Sequence, residues 1–109
     1  MKHRAAERFP LKLPISVRWT SPSGSAEVQT RCHDVSSHGI YFDLEPIEPA
    51  PIQKGSKVEI VITLPEGASL SRVYCHGHVR RTKVLDLNRV GVAAQIERYR
   101  FLRGTDSPD

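Results

Sequence analysis

Cysteine, aromatic side chains, long apolar runs and helical periodicity are all scarce in these 109 residues, and each shortage removes a class of protein. Uninterrupted apolar stretches such as Ile60–Ile62 fall far short of the roughly 20 residues that a membrane span requires. The opening Met1-Lys2-His3-Arg4 is basic but leads into Ala5-Ala6-Glu7-Arg8 rather than an apolar segment. No signal peptide is read, and a cytoplasmic location without membrane insertion is expected. In that compartment the two cysteines, Cys32 and Cys75, stay reduced. They do not suggest a metal site either. Cys32-His33 and Cys75-His76-Gly77-His78 supply suitable atoms, but strand alternation turns Cys75 away from His76 and His78, and no CxxC or close HxxxH spacing occurs. Both are expected as small core residues.

Aromatics make up only 6% of the chain, which argues against single-stranded nucleic acid as a partner. That mode of binding needs exposed stacking rings, and Tyr41 and Tyr74 are the obvious outward candidates. A nucleophile–base–orienter set is also missing. Ser36, Ser37, His38 and Asp34 have the right chemistry, but neighbours within one tight turn do not reach the aligned hydrogen bonds of a triad. The protein is therefore expected to be no enzyme and to need no cofactor.

What the chain does contain is charge at one end and alternation throughout. Its formal net charge is +4 with a pI near 9.4, which permits an anionic ligand without requiring one. Lys2, His3, Arg4, Arg8 and Lys12 crowd the start, so residues 1–12 are read as a flexible basic arm. Period-two patterning then predicts six strands. Their inward sets are Ile15, Val17 and Trp19; Ala26, Val28, Thr30 and Cys32; Ile40, Phe42 and Leu44; Val58, Ile60, Ile62 and Leu64; Val73, Cys75, Gly77 and Val79; and Val90, Val92, Ala94 and Ile96. Gly77 is expected at a bend or barrel corner. Pro46–Pro51 must be loop, because prolines cannot donate to a ladder. Glu97–Arg103 is expected to form a short helix ending at Gly104, and 105–109 a disordered tail. Six short strands favour a closed antiparallel barrel, since closure removes exposed edges. One all-β domain over 13–104 is expected, with the helix at its end.

Two short motifs stand out against this background. Arg4 and Arg8 form an RxxxR whose planar guanidiniums can grip phosphate oxygens or the O6/N7 edge of guanine, a geometry lysine lacks. Asp34-Val35-Ser36-Ser37-His38-Gly39 lies between two strands. There a carboxylate can accept from the N–H edge of guanine, and Ser36 can bond phosphate or base. Gly39 lets the backbone approach closely or adopt a positive φ. The same letters also build ordinary tight turns without any ligand.

Together the motifs resemble those of the PilZ family, bacterial receptors for cyclic di-GMP. The resemblance runs through Arg4–Arg8, Leu13-Pro14-Ile15-Ser16-Val17, the DxSxxG of Asp34–Gly39 leading into Ile40-Tyr41-Phe42, Gly55 before Val58–Leu64, Gly77-His78-Val79-Arg80 and Gly91-Val92-Ala93-Ala94. It implies a six-stranded barrel and a cyclic di-GMP site. In that site Arg4 and Arg8 bind phosphates and guanine edges, while Asp34, Ser36 and Gly39 receive a guanine. His3 stands where many relatives carry a further Arg, which disfavours an intercalated ligand dimer. The family's usual Phe after Gly-Val is replaced by Ala93-Ala94, read as a change in core packing. His3, Ser37 and Arg80 are secondary candidates, Arg80 because it shares a strand face with His76 and His78. Closure of the arm over the ligand would create a surface for a downstream protein. The alternative is a PilZ-like adaptor that binds another protein and no nucleotide.

Overall fold

The computed structural model describes residues 12–22, 24–45, 52–64 and 72–103. Arg4, Arg8 and His3 lie outside these residues, as do the Pro46–Pro51 stretch and the 105–109 tail. The described part consists of six strands: β1 (Pro14–Ser21), β2 (Gly24–Val35), β3 (Gly39–Leu44), β4 (Lys57–Thr63), β5 (Arg72–Asp86) and β6 (Arg89–Leu102). They close into an antiparallel barrel in the order β1-β2-β3-β6-β5-β4, with β1 pairing β4 from Ile15↔Ile62 to Trp19↔Val58. Closure satisfies both edges of each central strand, as the sequence predicts.

The alternating apolar residues meet inside. Trp19, Phe42, Ile60, Val17, Val79 and Val92 fill the interior, and Cys32 and Cys75 are buried among them as small hydrophobes. Burial pushes the Cys75 thiol up to about 12, which keeps it an unreactive thiol. Ala94 faces this core, whereas Ala93 pairs with Tyr41 on the outside.

The expected terminal helix is not found: Glu97–Leu102 continues β6 and pairs with β5 from His76↔Arg98 to Arg72↔Leu102. The reason is visible in the side chains. Arg98 and Arg100 alternate with Tyr99 and Phe101, a period of two built partly from ring residues that suit a pleated surface. That pattern outweighs the stop signal of a single following glycine.

Among the described residues four bulges bend the barrel, each adding one residue to a strand: His33 in β2, Arg80 and Leu85 in β5, and Glu97 in β6. Each bulge reverses the inside–outside alternation of the residues beyond it in the strand. Gly77 sits beside the Glu97 bulge, where an added Cβ would overlap the Gln95 carbonyl oxygen. The expected corner at Gly77 is thus a place where two backbones come too close for any side chain.

Candidate functional site

The outer face of the barrel around the β2–β3 turn is set by the bulge at His33. Cys32 pairs with Phe42 and points inward, but Asp34 pairs with Tyr41, so its carboxylate joins Tyr41 on the outside while Val35 returns to the inside opposite Ile40. Among the described residues, the Asp34 carboxylate has no hydrogen-bond or ion-pair partner. A half-buried carboxylate left free in this way can accept a pair of N–H donors from a ligand.

Ser36 shapes the turn itself. Its N–H donates to the Gly39 carbonyl at 2.9 Å, and its hydroxyl accepts from the N–H groups of His38 and Gly39, each at 3.2 Å. The Ile96 N–H donates to the His38 carbonyl at 2.8 Å and ties the turn to β6. Gly39 does not have a positive φ; the described glycines that do are Gly24 and Gly55. Its lack of a side chain serves close approach instead, because a Cβ there would stand 3.0 Å from the Ala94 carbonyl oxygen. Ser37 is exposed and its hydroxyl meets only the neighbouring His38 Nδ1, at 3.0 Å.

Strand registers align the rest of the face. One row crosses four strands as Asp34, Tyr41, Ala93 and Arg81, and the next holds Gly39, Gln95 and His78. At about 4.8 Å per strand, Asp34 and Arg81 stand about 14 Å apart with the small Ala93 between them. The bulge places Arg80 as the extra residue, so its neighbour Arg81, rather than Arg80, takes the register position in this row. His33, Tyr41 and Asp43 buttress the acidic side: His33 Nε2 lies 3.0 Å from Asp43 Oδ2, and its ring is 5.4 Å from that of Tyr41. Arg89 Nη1 reaches the same carboxylate oxygen at 3.6 Å. The sequence pattern placed neither His33 nor Arg81 at this site, because both owe their positions to bulges.

Tyr74, the other aromatic expected to face outward, is on the outer face but buried. Its hydroxyl donates to Glu59 Oε2 at 2.7 Å, and the Arg100 guanidinium lies over its ring at 5.5 Å. It offers no stacking platform. No group of three or more His, Cys, Asp or Glu among the described residues could hold a metal ion.

Comparison with known proteins agrees with this architecture. The family model for the PilZ domain matches residues 2–101. The chain belongs to the PilZ family. This PilZ domain also resembles a solved structure titled as the Bacillus subtilis Inhibitor of motility (MotI/DgrA), with a TM-score of 0.68 and 19% identity. The match covers 90% of this chain but 44% of the other, so the domain spans less than half the length of that neighbour. At this identity the likeness concerns the fold. Among curated proteins no match reaches significance. No helix among the described residues is long and apolar enough to cross a membrane.

Proposed function

We propose that this PilZ domain is a cyclic di-GMP receptor that acts by binding rather than by chemistry. The observation that carries the reading is the carboxylate of Asp34, turned outward by a bulge and left without a partner among the described residues, on the face that also holds Gly39, Ala93 and Gln95. A guanine lying on that surface would present its N1–H and N2–H edge to Asp34, a match that adenine cannot make. Gly39 keeps the floor open. Ser36 acts by holding the turn in shape, its hydroxyl being engaged by the backbone of His38 and Gly39, while Arg80, Arg81 and the exposed Ser37 border the surface. Arg4 and Arg8, from the basic arm, neutralise the phosphates through charge-assisted bonds. Ordering of the arm over the ligand then offers a new surface to a downstream protein in the cytoplasm.

Titration calorimetry with cyclic di-GMP tests this on the wild type, Arg8→Ala and Asp34→Ala. Micromolar or tighter binding is expected for the wild type. Each substitution should weaken it at least about tenfold, since a hydrogen bond to a charged group contributes about 1.5–3 kcal/mol. Raising the salt concentration should weaken it too, though less steeply than for a long nucleic acid. Absence of heat with the wild type, or unchanged affinity in both variants, sinks the reading.

A further inference from the structure

Beyond the barrel wall, β5 and β6 continue as a long hairpin, and among the described residues one side of that hairpin is open. β4 accompanies β5 only as far as Lys57↔His78. The Val79 N–H and carbonyl are then taken up by the Ser56 carbonyl at 2.9 Å and the Gly55 N–H at 2.8 Å. Past that point no described residue pairs with this side of β5, and Arg80 through Asp86 are exposed throughout.

Alternation identifies which peptide groups face the open side. The Ile96 N–H points toward β3, where it donates to His38. With no bulge between Val90 and Ile96, the peptide groups of Val92 and Ala94 also point toward β3, and those of Gly91 and Ala93 toward β5. Arg81 and Lys83, the partners of Ala93 and Gly91, therefore complete the β5–β6 ladder. Thr82 and Val84 hold their N–H and carbonyl groups outward, with no described residue to receive them. Arg81 and Lys83 place two cations on one face of this edge, and Arg80 adds a third at the bulge. Among the described residues none of the three makes an ion pair. Val84 is 75% exposed on the other face, and Leu87 at the hairpin tip is 96% exposed.

We propose that the open edge of β5 at Thr82–Val84 receives an extended acidic segment of a partner protein as an added strand. The backbone supplies the ladder, as in other cases of strand addition. Side chains select the occupant: carboxylates at alternate positions lie beside Arg81 and Lys83, and apolar residues between them lie beside Val84. A second copy of the same edge is disfavoured, because pairing would set Arg81 and Lys83 against their own counterparts. The bulges at Arg80 and Leu85 confine the run to a few residues, which also protects the edge from indiscriminate pairing. The peptide groups of this edge point along the sheet and away from the Asp34 face, whereas Arg80 and Arg81 border both this edge and the proposed nucleotide site.

The test uses a labelled seven-residue peptide alternating glutamate and valine, with fluorescence anisotropy as the readout. The wild-type chain should bind it, and Thr82→Pro with Val84→Pro should weaken binding at least about tenfold by removing two outward donors. Proline is tolerated at such a position because no ladder bond is lost, so the thermal midpoint should stay close to that of the wild type. A second measurement does not depend on the variant folding. N-methylation of the peptide at alternate nitrogens should abolish binding in one register and spare it in the other. No binding by the wild type, equal binding by a folded proline variant, equal effects of both methylation registers, or self-association of the free protein through this edge would each overturn the proposal.

Discussion

Asp34 stands opposite Tyr41 on the outside of the barrel, although Cys32, two residues earlier, stands opposite Phe42 on the inside. The single extra residue, His33, makes that exchange. Were the same residues paired without a bulge, strict alternation would aim the Asp34 carboxylate into an aliphatic interior, where an unpaired charge is costly. Deleting His33 joins Cys32 directly to Asp34 in plain alternation, so Asp34 should stay outside and Val35 inside, and the variant should still fold with its barrel pairing unchanged. His33→Ala keeps the residue count and gives up a half-exposed ion pair with Asp43, so it should cost no more than about 1 kcal/mol. A deletion variant that fails to fold would show that the bulge itself, and not the pairing on either side of it, sustains the turn.

The two serines of the turn should behave differently. Ser36→Ala removes a hydroxyl that accepts from two backbone N–H groups, and a loss of about 1–2 kcal/mol in a urea titration is expected. Ser37→Ala removes a contact with its exposed neighbour and should fall within about 0.5 kcal/mol of the wild type. Equal costs would mean that the turn is held by something other than the Ser36 hydroxyl.

These positions also show how far the sequence could be read. The inward sets of all six strands follow from period-two alternation, and the closed barrel follows from the count. Bulges are where that reasoning stops, because one added residue leaves the composition of a strand unchanged while exchanging its faces. A conflict was nevertheless present at Asp34: alternation through Ala26, Val28, Thr30 and Cys32 makes it an inward residue, whereas its charge forbids that place. An extra residue just before it resolves the contradiction. No such conflict marks Arg80, since Arg80 and Arg81 are equally suited to the outside. At the C-terminal end, the brevity of Glu97–Leu102 let a glycine stop signal suggest a helix. Pairing to Arg72–His76 of β5, a long-range contact, decided the matter. Tyr74 shows the reverse limit: parity put it outside, but Arg100 and Glu59 cover it there.

Glu59 links this outer cluster to pH. The Tyr74 hydroxyl, and then the Arg18 guanidinium at 2.8 Å through Nε, hold its carboxyl below the usual value of 4.5. Because the folded pKa is the lower one, the stabilisation is complete above the ordinary carboxylate value and fades as pH falls through the folded one. Glu59→Gln should therefore melt a few degrees below the wild type at neutral pH, with the gap closing in acid below about pH 4. Melting curves taken across that range check the sign. A gap that widened on acidification would contradict it. The cluster is partly exposed, so added salt should also shrink the neutral-pH gap.

Two glycines with crowded surroundings should respond unequally to the same added methyl group. At Gly77 the new Cβ would overlap the Gln95 carbonyl oxygen and crowd the Ile96 Cα, both backbone atoms of a paired strand. Relief requires β6 to move away at its bulge, so Gly77→Ala should destabilise by about 2–4 kcal/mol, a fall of roughly 10 °C or more in a domain of this size. At Gly91 the obstacle is the Tyr41 hydroxyl, the far end of a side chain that can swing aside. Gly91→Ala should cost about 1 kcal/mol or less in stability. Its effect should instead appear at the candidate site, because a displaced Tyr41 no longer packs beside His33 and Asp34. Amide shifts of Asp34 and His33 should move in Gly91→Ala, with a modest loss of cyclic di-GMP affinity. Matching melting losses in the two variants would mean that backbone approach at Gly77 is not the tighter constraint.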